Sequence, residues 1–200
     1  LTAQKNLSTT SHNISNVGTD GYSRQGNIQV ANYPFSSGGG YFGSGSSVVN
    51  VVRYYSAHLE TQLRDSNTRT HDLNAYYQTV RQIDNLLASD DAGLSAMMNS
   101  FFSSMDAVSK NPNDIAIRQQ FLTVAGTLTS RIRSMDARLD EINEGINMET
   151  IATVEQINNY AQNISKLNEQ IQQLRGRGQE PNDLLDQREH QITKLSELIN

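Results

Sequence analysis

Residues 121–146 read FLTVAGTLTSRIRSMDARLDEINEGI, and the apolar side chains in them recur at alternating intervals of four and three residues. The positions that follow this pattern are Phe121, Ala125, Leu128, Ile132, Met135, Leu139, Ile142 and Ile146. Such spacing places the apolar side chains on one stripe of an α-helix, as in the seam of a coiled coil. The sequence therefore predicts a helix that packs along this stripe.

The same helix is predicted to extend from residue 114 to residue 175, because no proline occurs in that range. After Ile146 the pattern slips by one residue and resumes at Val154, and such a slip changes the winding without ending the helix. At about 1.5 Å per residue, a helix over this range is roughly 90 Å long. It cannot cover its own seam, so we expect partner helices from this chain or from other subunits.

The composition restricts the class of protein. Hydrophobic residues make up 36% of the chain and charged residues 18%, with a net charge of −5. This supports a narrow helical core but not a surface that binds nucleic acid, which would be strongly basic on one face. The absence of cysteine excludes disulfides, thiolate catalysis and Cys-based metal sites. No apolar run approaches the length of a membrane span.

The first 55 residues are predicted to contain a helix, a turn and a hairpin. Residues 1–14 have the pattern of an amphipathic helix. Residues 16–22 are rich in Gly, Asn and Asp and predict a turn. Two β-rich runs, at residues 23–30 and 48–52, are expected to pair as a hairpin across a glycine-rich loop, which we expect to be a flexible connection.

From residue 56 onward the pattern is helical, with four helices predicted over about residues 56–88, 92–110, 114–175 and 183–200. The second is the most apolar segment of the chain, so we expect it to be wedged between neighbours. Residues 89–91 are predicted to cap the second helix, residues 111–113 the third and Asn182 the fourth. The third helix is expected to end with Gly176 or Gly178 in the left-handed conformation.

Together these elements predict a mainly α fold, an elongated bundle of long antiparallel coiled-coil-like helices with a small β-hairpin and extended segment near the N-terminus. Three domains are expected. They are the N-terminal helix and turn at residues 1–24, an extended or hairpin connector at residues 25–55, and a helical rod domain at residues 56–200.

Catalytic and ligand-binding patterns are missing from the sequence. The four histidines, which are His12, His58, His71 and His190, do not pair at metal-ligand spacing on one helix. No Gly-Lys-Ser/Thr follows the glycine-rich loop, and no Gly-x-Ser-x-Gly motif occurs. We therefore expect no catalytic, cofactor-binding or metal-binding residues, and no small-molecule substrate.

Residues 7–25, LSTTSHNISNVGTDGYSRQ, resemble the N-terminal signature of bacterial flagellar axial proteins. With the flanking residues 9–12 (TTSH) and 23–25 (SRQ) included, this signature is similar to that of the hook-associated protein 1 family, which forms the junction between hook and filament. Residues 181–188, PNDLLDQR, are similar to a later segment of that family, as is the stretch from Gly93 to Phe102. The resemblance covers essentially the whole chain and implies the N-terminal portion of a longer protein.

The resemblance implies a structural subunit that is exported by the flagellar secretion apparatus and self-assembles outside the cell through its helical inner domains. The partners it implies are copies of the same chain, the hook protein, other hook-associated and filament-junction proteins, and a flagellar export chaperone. Residues 1–14 would line a central channel, and the turn after them would redirect the chain outward.

The resemblance also implies an assembly and turn motif, which comprises Thr9, Thr10, His12, Asn13, Asn16, Gly21, Tyr22 and Arg24. In this interpretation Asn13 and Asn16 bind the backbone of the turn. Gly21 supplies the required backbone angle, and Tyr22 packs against the hairpin or an adjacent subunit.

Two alternatives remain open from the sequence. A flagellar rod or hook protein shares the signature, although such proteins continue mostly as β-structure. A soluble coiled-coil adaptor would use the long seam to form a discrete dimer. An enzyme is disfavoured because no catalytic constellation is visible.

Overall fold

The computed structural model describes residues 1–87 and 93–199. These residues form two compact units, of which the first comprises Leu1–His71 with Glu155–Asn200 and the second comprises Asp72–Val154. The predicted helix boundaries at residues 88, 92 and 200, and the caps predicted at residues 89–91, lie outside the described residues.

The described residues contain five α-helices, α1 (Thr2–Ser15), α2 (Ala57–Leu87), α3 (Leu94–Lys110), α4 (Ile115–Arg175) and α5 (Asn182–Ser196). They also contain four short strands, β1 (Gln25–Ala31), β2 (Phe35–Ser37), β3 (Gly40–Phe42) and β4 (Ser46–Arg53). The mainly α fold is therefore confirmed, as is the long helix. Within the part of the chain that is described, no helix combines enough length with enough apolar character to span a lipid bilayer.

The predicted seam of α4 carries its most buried side chains, although much of the seam is only partly covered. Leu128 and Met135 are 8% and 7% exposed, whereas Ile132 and Leu139 between and beyond them remain 49% and 43% exposed. Ile171, in the part of α4 that belongs to the first unit, is 3% exposed. The seam thus contributes to the core of each unit separately and leaves apolar surface exposed in the second unit.

Helix α3 is less enclosed than its composition predicts. Its Phe101 packs against Phe121 of α4, with ring centroids 5.4 Å apart. Phe102 and Met105, on another face of the helix, are 51% and 46% exposed. Within the described residues only the Phe101 face of α3 has an aromatic partner on another helix, so the expectation that α3 is wedged between neighbours is not met by this chain alone and stays a prediction for other subunits.

The two β-rich runs pair as predicted, and the loop between them holds a second hairpin. Strand β1 is antiparallel to β4, with Gln25 opposite Arg53 and a bulge where Ile28 is followed by Gln29. Strands β2 and β3 pair within the glycine-rich loop, so its prediction as a purely flexible connection is wrong. The physical reason is a cross-strand aromatic pair, since Phe35 lies opposite Phe42 with ring centroids 6.1 Å apart.

Two of the predicted helix starts use different caps. Helix α4 is capped by Asp114, whose Oδ1 accepts hydrogen bonds from the N–H groups of Ala116 and Ile117 at 2.8 and 3.3 Å. Asn182 does not cap α5, because it is the first helical residue and its amide donates to the carbonyl of Val51 at 2.8 Å. Of the two glycines predicted to end α4, it is Gly178 that has a positive φ, of 74°.

Helix α5 ends at Ser196 and does not continue to residue 200 as predicted. The Ser196 hydroxyl donates a hydrogen bond to the carbonyl of Thr193 at 2.7 Å. The Ser196 carbonyl accepts a hydrogen bond from Thr68 of α2 at 2.6 Å. A contact with another helix therefore satisfies the end of α5, and sequence periodicity carries no signal for such a contact.

The seam of α4 predicts a position-dependent loss of stability. Leu128→Ala should lower the free energy of unfolding by about 2–4 kcal/mol, because it removes buried methyl groups and leaves a cavity. Leu122→Ala is the matched control on the same helix, where the side chain is 61% exposed. Urea unfolding followed by far-ultraviolet circular dichroism measures both changes, and equal losses in the two variants would contradict the assigned core.

Candidate functional site at the turn after the first helix

Helix α1 is held against the hairpin by polar side chains. Thr2 donates from its hydroxyl to the carbonyl of Ser46 at 2.5 Å, and Thr9 to the side-chain oxygen of Asn27 at 3.1 Å. Helix α1, which is described throughout, contains no buried residue. Its attachment within the first unit therefore depends on hydrogen bonds and not on an apolar interface.

The centre of the turn is a pair of hydrogen bonds between Asn13 and Gln25. The Asn13 amide nitrogen donates to the Gln25 carbonyl, and the Gln25 N–H donates to Asn13 Oδ1, both at 2.9 Å. The Asn13 amide thus pairs with both backbone groups of Gln25, the first residue of β1, as a residue of a neighbouring strand would. Because backbone groups fix both bonds, the orientation of the amide is determined.

Tyr22 lies over the end of α1. Its hydroxyl donates to Asn13 Oδ1 at 2.7 Å and lies 3.1 Å from His12 Nδ1. Because the tyrosine hydrogen is used by Asn13, the hydrogen between the other two atoms comes from His12 Nδ1. Burial raises the pKa of Tyr22 above its ordinary value, and the negative charges of Asp183 and Asp186 raise it further.

Gly21 allows α5 to approach the turn closely. Its φ is +76°, in the left-handed region that favours glycine. A Cβ atom at this position would lie 2.7 Å from the Cβ of His190. Both the backbone angle and the close contact with α5 therefore require glycine here.

The last turn of α1 is closed by Asn16, whose amide donates to the carbonyl of His12 at 3.0 Å. Its side-chain oxygen accepts a hydrogen bond from the Thr19 hydroxyl at 3.3 Å, and its carbonyl accepts one from the Thr19 N–H at 3.0 Å. Asn16 thus stabilises both the helix end and the first residues of the turn.

The first half of α5 docks against the turn and the hairpin through polar side chains. Asp186 accepts hydrogen bonds from the Ser23 N–H at 3.0 Å and from Arg53 Nη1 at 2.6 Å. Asp183 accepts one from the Gln25 side chain at 2.6 Å. The turn, the end of the hairpin and α5 therefore meet at one place within the first unit.

Most of the residues predicted for the motif lie at this junction. Asn13, Asn16, Gly21 and Tyr22 make the contacts given above. Within the chain Tyr22 packs on α1, with its ring 5.5 Å from that of His12, and not on the hairpin; the alternative that it packs on an adjacent subunit stays a prediction. This difference follows from the hydrogen bonds of its hydroxyl, which point to α1.

The remaining motif residues are more peripheral. Thr9 tethers α1 to β1 as described. Arg24 stacks on Tyr54, with its guanidinium carbon 3.9 Å from the ring centroid. Thr10 is exposed and makes no side-chain hydrogen bond with any described residue.

The α5 residues of the junction were not predicted, although residues 181–188 had been singled out by resemblance. Asp186 is 163 positions from Ser23 in the sequence, so no local pattern connects them. The available signal was the presence of two acidic residues, three positions apart, inside a helix predicted mainly from its leucines and isoleucines. That signal indicates polar contacts on one helix face but does not identify the partner.

The junction encloses a groove of about 530 Å³ within the first unit, lined in part by His12, Lys166, Asp183 and His190. His12 Nε2 lies 3.7 Å from Asp183 Oδ2, an attractive contact when the imidazole is protonated. Across the described residues there is no group of three or more His, Asp or Glu side chains arranged to hold a metal ion. The arrangement suits the positioning of backbone segments.

Comparisons with known proteins give one consistent family. The profile described as the flagellar hook-associated protein FlgK helical domain matches residues 80–200. The chain is 36% identical over 199 residues to flagellar hook-associated protein 1 of Escherichia coli (strain K12), and equally to that of Salmonella typhimurium (strain LT2). It is 29% identical over 205 residues to flagellar hook-associated protein 1 of Bacillus subtilis (strain 168).

These alignments cover 98% of this chain. They cover 36% of the first two relatives and 40% of the third. The chain therefore spans less than half the length of the relatives it matches.

The close contact at Gly21 predicts a strong effect of adding one methyl group. Gly21→Ala should cost about 1–2 kcal/mol from the left-handed backbone alone, and more because the new Cβ meets His190. Gly18→Ala is the matched control in the same turn, since a Cβ there has nothing within 4 Å. Thermal unfolding of the two variants measures the difference, and a Gly21→Ala variant as stable as Gly18→Ala would contradict the described turn.

Tyr22 predicts a loss of stability in alkali. Its pKa is raised in the folded state, so its contribution is complete below the ordinary value of about 10 and is lost as the pH rises through the folded value. Tyr22→Phe should therefore flatten the decline of the unfolding free energy above about pH 10. Urea titrations across this range test the slope.

Tyr33→Phe is the control for this titration, because Tyr33 is 95% exposed. We expect it to retain the parental slope. Parental slopes in both variants would show that burial of Tyr22 has no part in the alkaline loss.

Proposed function

Because the chain belongs to the family of flagellar hook-associated protein FlgK, whose relatives are named flagellar hook-associated protein 1, we propose that it is a structural subunit of the bacterial flagellum. In this role it joins the hook to the filament by self-assembly of its helical segments. The proposed role is structural and not enzymatic. It involves no cofactor, nucleic acid or small-molecule substrate.

The observation that carries this proposal is the exposed apolar stripe of α1 and the turn that follows it. Leu7 and Ile14 are 71% and 69% exposed, and Val17 is 87% exposed. A single helix of 14 residues is marginal in water, and its stability comes mainly from packing of an apolar face. The stripe therefore has the character of an interface that other helices cover.

The partners proposed for this surface are copies of the same chain, the hook protein and other hook-associated or filament-junction proteins. A flagellar export chaperone is proposed to accompany the chain before assembly, and the assembled subunit is proposed to lie in the extracellular flagellum. The support for these partners is membership of the family together with the unpaired stripe of α1.

The eight residues of the turn motif are proposed as assembly determinants that act by orienting α1. Asn13, Asn16 and Tyr22 support this role because their hydrogen bonds join the helix end to the turn. In a repeating assembly every copy must present α1 in the same direction, so a defined turn is a physical requirement.

A soluble coiled-coil adaptor remains the second candidate, and the half-exposed seam of α4 favours it. Ile132, Leu139 and Ile146 are 42–49% exposed and would suit a discrete dimer. The two proposals differ in dilute solution, where the junction subunit is expected to sediment as a monomer and the adaptor as a dimer.

The proposed function predicts that charges on the α1 stripe block assembly. The double variant Leu7→Asp/Ile14→Asp should be exported but should fail to attach filaments, because carboxylates cannot be buried in an apolar interface without partners. The full-length protein is expressed in cells that lack their own copy. Filament attachment is counted by electron microscopy, and secreted protein is measured in the medium.

The matched control is Ser8→Asp/Ser15→Asp, which adds the same charges at exposed positions one residue further along α1. It is expected to assemble normally. Normal filament attachment by the Leu7/Ile14 variant would refute the assigned role of α1.

A further inference from the structure

Asp186 is distinguished by burial. It is 5% exposed and is the one buried charged residue within the described part of the chain. A buried carboxylate is costly unless it is paired and hydrogen-bonded, and removing one partner of such a pair is strongly destabilising. Its surroundings are therefore constrained to supply donors in a defined geometry.

Each oxygen of Asp186 is used by a different segment of the chain. Oδ2 accepts the N–H of Ser23, two residues after the left-handed Gly21, and Oδ1 accepts the guanidinium of Arg53 at the end of β4. Arg53 is itself placed over the ring of Tyr55, with its guanidinium carbon 4.8 Å from the ring centroid. The carboxylate thus joins the exit of the turn to the end of the hairpin.

The path from Asp186 to α1 is short. Ser23 is followed within two residues by Gln25, whose backbone is bound by Asn13 at the end of α1. The Gln25 side chain is bound in turn by Asp183, one helical turn before Asp186. Helix α1 and helix α5 are therefore connected through residues 23–25.

From these contacts we infer that Asp186 is a positioning residue that sets the orientation of α1 relative to α5. This inference rests on the proposed function, since orientation matters biologically only if α1 is an assembly element. It adds a fixed point outside the N-terminal motif, on a helix more than 150 positions away in the sequence.

The chemistry explains why a carboxylate is required. Both partners of Asp186 are donors, so both of its oxygens must accept. An asparagine has nearly the same shape but presents one N–H₂ group, which would face either Ser23 or Arg53 as a second donor. Asp186→Asn therefore removes one of the two hydrogen bonds, to Ser23 or to Arg53, with almost no change in side-chain volume.

The test measures the orientation of α1 in the full-length protein in solution. Spin labels are attached at Ser11→Cys on α1 and Asn168→Cys on α4, which are both exposed positions of the first unit. Because the described sequence has no cysteine, any native cysteine elsewhere in the full-length protein is first replaced. Double electron–electron resonance then gives the distribution of distances between the labels.

The parental protein is expected to give one narrow distribution, and Asp186→Asn a clearly broadened or displaced one with unchanged helix content by circular dichroism. Asp65→Asn is the matched control, with the same chemical change at an exposed side chain of the first unit that takes no part in the contacts of the turn. It is expected to keep the parental distribution. An unchanged distribution in Asp186→Asn, or equal broadening in both variants, overturns the inference.

Arg53→Lys provides a second variant if Asp186→Asn does not fold. Lysine keeps the positive charge but reaches less far and lacks the planar fork of arginine. We expect a distribution that is broadened or displaced relative to the parental one, and a parental distribution in Arg53→Lys would then count against the inference. The distance measurement needs no assembly, so its failure is separate from a failure of the Leu7/Ile14 variant to block filament attachment.

Discussion

The side-chain amide of Asn13 binds both backbone groups of Gln25, and this pair of bonds closes the turn between α1 and β1. Because backbone atoms fix the amide, the Tyr22 hydroxyl donates its hydrogen to Asn13 Oδ1 and accepts a hydrogen bond from His12 Nδ1. A network of this kind is satisfied in one arrangement only, so it determines direction more strictly than an apolar contact would. The orientation of α1 therefore depends on polar geometry.

The apolar core of the described residues is small, which explains why polar contacts have this importance. The large apolar side chains that are buried there are Leu128, Met135, Ile171 and Leu185. Many others remain in contact with solvent, among them Leu73 and Tyr76 of α2, which are exposed. Exposed apolar surface on helices is typical of proteins completed by neighbouring molecules. Each unit is thus held internally by modest burial and offers further burial to partners.

The sequence predicted the features that depend on local pattern. The heptad spacing located α4 and its seam, and glycine chemistry identified Gly21 and Gly178. It failed where a distant residue decides the outcome. The Thr68 hydroxyl donates to the carbonyl of Ser196, where α5 ends. The Asn182 side chain, which was expected to cap α5, instead donates its amide to the carbonyl of Val51. Periodicity describes one element at a time and contains no information on such pairs.

The same separation in sequence has a consequence for folding. Helix α1, the turn and the hairpin lie within the first 53 residues, so their mutual contacts close short loops. The contact between Ser23 and Asp186 closes a loop of 163 positions, which carries a larger entropic cost and forms later in a chain that gains local contacts first. Once α5 has packed in the first unit, the buried Asp186 carboxylate is costly unless Ser23 and Arg53 supply their hydrogen bonds. The final geometry of the turn is therefore conditional on the helical part of the first unit being folded, and a chain in which α5 is unfolded lacks the fixed point that orients α1.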